Sequence, residues 1–220
     1  MFSNSKSSLK NLKKIFKNVS FRFFAYRSFI HLLSIFVFKE KTVHNLAEKH
    51  KIKYFKVSSK KELESVVTLS VLGFAFNFDL VISQLILDKF EKGIYNIHAS
   101  KLPKDRGISP LLWAFARGDK LVWSTIYKMD RGIDTGEICK QIQINVDDRD
   151  TSFSLYKKVC VKSGALLSSL VEDILHSKIK LKPQSKMMKS SYCSWPNREF
   201  SKMMRNSKRK MICFRDLTKK

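Results

Sequence analysis

Gly93-Ile94-Tyr95-Asn96-Ile97-His98 is a short apolar run that opens on a glycine and ends on polar residues. The turn-forming Ser100, Leu102-Pro103 and Arg106-Gly107 follow directly, so the run reads as a strand leading into a loop. A second apolar run, Thr68-Leu69-Ser70-Val71-Leu72-Gly73-Phe74, lies upstream, with a helical stretch at 83–90 between the two. The alternation continues outward. Residues 43–50 read as a helix capped by Thr42, 53–57 as a strand, and the stretch after the Ser58-Ser59 cap to Val67 as a helix. Downstream come a helix at 108–116, strands at 122–127 and 138–146, and a long helix at 151–176 capped by Asp150 or Thr151. Near-continuous apolar strands separated by helices predict an α/β fold: a mostly parallel, twisted, Rossmann-like sheet with helices on both faces. In such sheets ligands gather beyond the carboxyl ends of the strands, which is where residues 96–106 fall.

The flanks differ from this centre. Residues 1–40 form a basic and aromatic arm, with Leu9, Leu12, Ile15 and Phe16 at the spacing of a marginal amphipathic helix. The apolar stretch 28–38 is shorter than the ~20 residues a bilayer crossing needs. Together with the basic 10–27 segment it is compatible with peripheral contact on an anionic membrane face, but a packed arm or core helix is the preferred reading. Residues 41–180 hold the core pattern. Residues 181–220 are basic and carry Pro183, Pro196 and the basic run 202–210, which predicts a C-terminal tail or strap lying on the core.

The net charge of +24 attracts polyanions such as tRNA or nucleotide-linked substrates. The abundance of Lys, Asn, Ile and Phe also arises from AT-rich coding without any ligand. Four scattered cysteines, Cys139, Cys160, Cys193 and Cys213, lack any C-x-x-C pair and read as reduced thiols of a cytoplasmic protein. The five histidines show no metal-ligand spacing, and no metal is expected.

Asn96 and His98 are two apart on one strand, so their side chains leave the same face and converge on one point. An amide beside an imidazole provides donors for a developing oxyanion and a group that moves protons near neutral pH. A second loop supplies Asp130-Arg131-Gly132-Ile133-Asp134-Thr135-Gly136, where glycines on either side of Asp134 imply a tight bend.

The stretch Asn96-Ile97-His98-Ala99-Ser100-Lys101-Leu102-Pro103 with Arg106-Gly107 and Pro110, followed by Met129-Asp130-Arg131-Gly132-Ile133-Asp134-Thr135-Gly136-Glu137-Ile138, resembles the signature of formyltransferases that use 10-formyltetrahydrofolate. That family includes the methionyl-tRNA, glycinamide ribonucleotide and amino-sugar formyltransferases. The likeness runs from about residue 71 to 144. It implies a catalytic group of Asn96, His98 and Asp134 that moves a formyl unit onto an amine without metal or covalent enzyme intermediate. It further implies 10-formyltetrahydrofolate as co-substrate, lying between the 77–82 loop and the 129–134 loop, with Leu80, Ile82, Asp130, Arg131 and Gly132 around it and Ser100 and Arg106 toward the acceptor.

This sequence departs from the family pattern at Lys101, where a leucine is usual, and in residues 1–40, which show no N-terminal hydrophobic strand with its small-residue turn. Arg106-Gly107 with Pro110 and Trp113 looks more like the tRNA and sugar enzymes than the purine enzyme. Only about forty residues follow Lys180, and Ser191-Tyr192-Cys193-Ser194-Trp195-Pro196 resembles short formyltransferase-like chains. The favoured acceptor is therefore the amine of a small, nucleotide-linked amino sugar. Methionyl-tRNA or glycinamide ribonucleotide is the alternative acceptor, and a catalytically silent folate- or RNA-binding homologue is the alternative from another class.

Overall fold

The computed structural model describes residues 2–4, 21–36, 42–78 and 80–218. The expected helix around Leu9 to Phe16 lies outside them, as does Asp79. The framework is a four-stranded sheet in the order β3 (Gly73–Phe76), β4 (Ile94–His98), β6 (Leu121–Lys128), β7 (Ile138–Asn145). The α/β class agrees with the sequence reading, but the sheet is mixed. β3 and β4 are parallel, whereas β4 with β6 and β6 with β7 are antiparallel. Apolar content and two-residue alternation do not encode strand direction, and the short 129–137 connection returns β7 directly alongside β6.

Alternation in β4 decides what each face does. Tyr95 and Ile97 face the long helix α6 (Ser152–Leu175), packing with Ile126, Leu170 and Ile174. The helix begins at Thr151, whose hydroxyl accepts from the Ser154 N–H while the Ser154 hydroxyl accepts from the Thr151 N–H. Leu155, Val159, Ser163, Leu170 and Ile174 form its buried stripe, and the Ser163 and Ser124 hydroxyls pair at 2.7 Å. Leu155 and Leu170 are fully enclosed, so truncating either to Ala costs about 2–5 kcal/mol.

The opposite face carries Ile94, Asn96 and His98. At its upstream end Ile94 and Ala75 pack under β2 (Phe55–Val57), α3 (Lys60–Val66) and α4 (Gln84–Leu87) through Val57, Leu63 and Ile86. Helices thus cover both faces. The run 68–72, expected to be strand, is outside β3; Leu69 and Val71 are exposed and only Ser70 bridges, to Phe90. In the expected arm, Phe2–Asn4 forms β1, which pairs in parallel with β2 in the register Phe2 to Phe55. A strand of three residues carries too little pattern to be read from sequence.

A third cluster joins the ends of the chain. Helix α1 (Phe21–Phe36) buries Phe23 against Phe200, and Trp113 meets the same ring edge-on at 5.7 Å. Phe200 belongs to α7 (Arg198–Asn206), which packs on α5 (Pro110–Arg117). Residues beyond 180, expected to be irregular, contain β8 (Tyr192–Cys193), α7 and α8 (Phe214–Thr218), with α2 (Val43–Lys49) completing the helices described. Trp195 is half-buried against this cluster and Pro196 is fully buried. Among the described residues no helix is long and apolar enough to cross a membrane.

Candidate active site

The face of β4 that carries Asn96 and His98 continues across the sheet. Asn96 stands opposite Tyr127 and His98 opposite Thr125 in the antiparallel β4/β6 register, so all four side chains share one surface. The Asn96 amide donates to the Tyr127 hydroxyl at 2.9 Å, and that hydroxyl donates to Oδ1 of Asp134 at 2.6 Å. Oδ2 of Asp134 accepts from the Gly107 N–H at 2.6 Å and lies 3.5 Å from Nδ1 of His98. Nε2 of His98 is 2.8 Å from the carbonyl oxygen of Asp105. A carbonyl only accepts, so the network assigns a hydrogen to Nε2 and leaves Nδ1 facing the Asp134 carboxylate. His98, Tyr127 and Asp134 are all buried, whereas Asn96 is half-buried. Burial first, and then the charge of Asp134, push the Tyr127 phenol far above its usual pKa, so it stays a neutral donor.

Two loops hold this group in place. Asp134 adopts a left-handed backbone with φ 54°, a conformation that Asp tolerates better than most residues. A Cβ on Gly136 would lie 1.8 Å from the carbonyl oxygen of Lys128; the loop therefore closes only with glycine there. On the other side, Asp105 is buried and its carboxylate pairs with Arg117 at 2.5 Å. Ser191 accepts from the Asp105 N–H at 2.8 Å. Gly107, with φ 89°, faces the Cys193 carbonyl where β5 (Arg106–Gly107) pairs with β8. Gln184 joins both loops: its amide donates to the carbonyls of Asp134 and Gly136, and its oxygen accepts from Arg106 at 2.6 Å.

The other expected site residues are placed as follows. Leu80 and Ile82 are half-buried and pack with Met129 in the cluster under α3 and α4. Arg131 reaches across to Gln84 at 2.8 Å, so the 80–84 segment and the 129–132 loop do come together. Asp130 accepts from the Gly132 N–H and the Thr135 hydroxyl, closing a turn. The Ser100 hydroxyl is turned into its own loop, donating to Lys104 at 2.7 Å. Arg106 stays half-buried between Gln184 and Tyr192. Lys101 extends over the Trp123 ring at 4.3 Å. Tyr127, Asp105, Arg117 and Gln184 were not expected in the site from sequence, and Ser191 was quoted only as the first residue of the 191–196 motif; Tyr127 joins through its register opposite Asn96.

A sequence profile described as formyl transferase matches residues 35–171. The chain belongs to the formyl transferase family. A bifunctional polymyxin resistance protein ArnA from Wigglesworthia glossinidia brevipalpis is 38% identical over 135 residues, covering 60% of this chain and 21% of that protein. A methionyl-tRNA formyltransferase from Kosmotoga olearia is 35% identical over 124 residues, covering 56% of this chain and 38% of that one. The chain thus spans well under half the length of these two formyl transferase relatives. Among solved structures, the sugar 3N-formyltransferase WlaRD, crystallised with dTDP and 5-N-formyl-THF, superposes with a TM-score of 0.60 at 25% identity, covering 70% of this chain and 53% of that chain. The formyltransferase PseJ from Anoxybacillus kamchatkensis, in complex with a UDP-linked formamido sugar and tetrahydrofolate, gives 0.54 at 25% identity over 70% of this chain and 80% of that one.

Proposed function

We propose that this formyl transferase moves the formyl group of 10-formyltetrahydrofolate to a primary amine, that of a nucleotide-linked amino sugar. The observation that carries the reading is the linked group Asn96–Tyr127–Asp134–His98, because it holds Asn96 and His98 on one face, keeps His98 against a carboxylate and leaves one N–H of the Asn96 amide unused by Tyr127. The half-buried Leu80, Ile82 and Met129 beside the polar 130–132 turn suit a flat heteroaromatic ring with a polar edge, so the residues present fit the folate. That group supplies the electrophilic formyl carbon.

The residues of the chain do the rest. Asn96 keeps one amide N–H not used by Tyr127, the donor for negative charge that develops on the formyl oxygen; one such donor is worth roughly 10²–10³ in rate. As the amine attacks, its proton passes to the His98–Asp134 pair, where Nδ1 of His98 faces the carboxylate and Asp105 keeps the ring from turning; the pair returns a proton to the departing donor nitrogen as its bond to the formyl carbon breaks. The two solved relatives described above were crystallised with dTDP and with a UDP-linked formamido sugar, which supports the sugar acceptor.

Transfer to methionyl-tRNA is a second reading, favoured by the +24 charge and the Kosmotoga relative. Incubation with 10-formyltetrahydrofolate and a panel of dTDP- and UDP-amino sugars, read as tetrahydrofolate release and a product mass raised by one formyl group, tests the proposal. Formylation of charged tRNA alone would move the acceptor to the second reading, and turnover of neither class would refute transfer.

A further inference from the structure

A cleft of about 1260 Å³ lies between the C-terminal end of α5 and the segment joining α7 to α8. It exceeds the roughly 300–1,000 Å³ of a small-molecule pocket. Lysines outnumber arginines 33 to 10 in the chain, yet Arg117, Arg149, Arg209 and Arg215 line this one cleft beside Lys120, Lys208 and Lys210. Lysine-rich drift does not concentrate arginine in this way.

The cleft's carboxylates leave that charge largely uncancelled. Asp119 pairs with Arg117, Asp148 with Lys120, and Asp150 with Lys158. The side chains of Arg149, Lys208 and Lys210 are exposed and, among the described residues, make no hydrogen bond or ion pair. Arg209 is fixed by the carbonyls of Phe115, Gly118 and Asp119 and stacks 4.7 Å over the Phe115 ring. At the rim Phe214 is 80% exposed, an aromatic face beside fixed cations.

Guanidinium forks that grip phosphates, next to an open ring on which a base stacks, are the means by which proteins hold single strands. Asp148, its side chain 86% exposed, adds acceptor oxygens for a ribose 2′-hydroxyl, the group that separates RNA from DNA. We propose that this cleft binds single-stranded RNA, with phosphates on Arg149, Lys208 and Lys210 and a base on Phe214. The inference does not depend on formyl transfer.

Fluorescence anisotropy of the full chain with a labelled single-stranded RNA of about 12 nucleotides tests it. Phe214→Ala is expected to weaken binding roughly tenfold. Arg149→Glu with Lys210→Glu is expected to weaken it at least about tenfold and to flatten the slope of log affinity against log salt by about 1.4. Lys162→Glu with Lys178→Glu, the same charge change at exposed sites outside the cleft, is the control. The proposal is overturned if the control pair weakens binding as much as the cleft pair, if DNA of the same sequence binds as tightly, or if no RNA binding occurs below about 100 µM. Circular dichroism of each variant checks that the fold is kept.

Discussion

The Tyr127 hydroxyl donates to Asp134 at 2.6 Å while accepting from Asn96 at 2.9 Å. One phenol therefore fixes the orientation of two side chains of the proposed catalytic group. Tyr127→Phe keeps the ring and removes the link. Stability is expected to fall by about 1.5–3 kcal/mol, the range for a hydrogen bond to a charged group. Turnover is expected to fall roughly 10–100-fold as Asn96 and Asp134 lose their common anchor. Urea unfolding and steady-state rates read the two effects separately, and a variant with full turnover would show that the phenol is only a core residue.

His98→Ala and Asp134→Asn remove the proposed proton-handling pair. Formyl transfer is expected to drop by at least about 10³-fold in each, with folate affinity within a few-fold of the parent, because neither side chain is in the cluster that contains Leu80 and Ile82. Titration of tetrahydrofolate by tryptophan fluorescence alongside the rate assay checks both halves.

Arg117→Ala strands the buried Asp105 carboxylate, which Arg117 meets at 2.5 Å. Removing one partner of such a pair costs up to about 3–5 kcal/mol, less here because Arg117 is partly exposed. Since the Asp105 carbonyl also holds His98, the rate is expected to fall more than the substrate KM rises. A pure stability loss with unchanged turnover at low temperature would separate Asp105 from the site.

Gly136→Ala forces a methyl group against the Lys128 backbone. The 129–137 loop must move to admit it, taking Asp134 with it; turnover is expected to fall at least about tenfold with little change in the apolar core. Near-ultraviolet circular dichroism and rates make the comparison.

Cys139 and Cys193 are both pushed up to about 12 from the ordinary thiol value of 9.0. Burial is the largest cause in each, with the Asp105 charge adding to it at Cys193. The folded chain thus holds these protons more firmly than the unfolded chain does, so the stability they contribute is complete below pH 9 and declines as the pH rises toward 12. The urea midpoint is expected to fall between pH 9 and pH 11, and alkylation of both thiols at pH 8 to be slow until urea is added.

From residue 94 to 175 the elements were legible to within one or two residues. There, long apolar stripes coincide with caps such as Thr151 and with the glycine-bounded loops. The Asn96, His98 and Asp134 group was proposed for a different reason: the resemblance to the formyltransferase signature implied it, and two positions on one strand face with one in a glycine-flanked bend agreed with that. The antiparallel pairing of β4 and β6 was not legible, and Tyr127 was missed with it, since its place opposite Asn96 follows only from that register. Gln184 left no local trace and the 191–196 motif did not show what Ser191 touches, because their partners, Asp134 and Asp105, are 50 and 86 residues away. The 68–72 run misled because its composition is that of a strand while Leu69 and Val71 face outward.

The contacts of Gln184, Ser191 and β8 with the 105–107 and 134–136 backbone also set an order of events during synthesis. The residues proposed to do the chemistry are translated in the middle of the chain, whereas the segment that fastens their loops is translated well after them. At about 5–20 residues per second, a nascent chain holds Asn96, His98 and Asp134 for several seconds before residues 184–193 exist to clasp them. During that interval the polypeptide is an unfinished catalyst, and ribosome-stalled chains ending before residue 184 are expected to bind folate weakly and to transfer nothing.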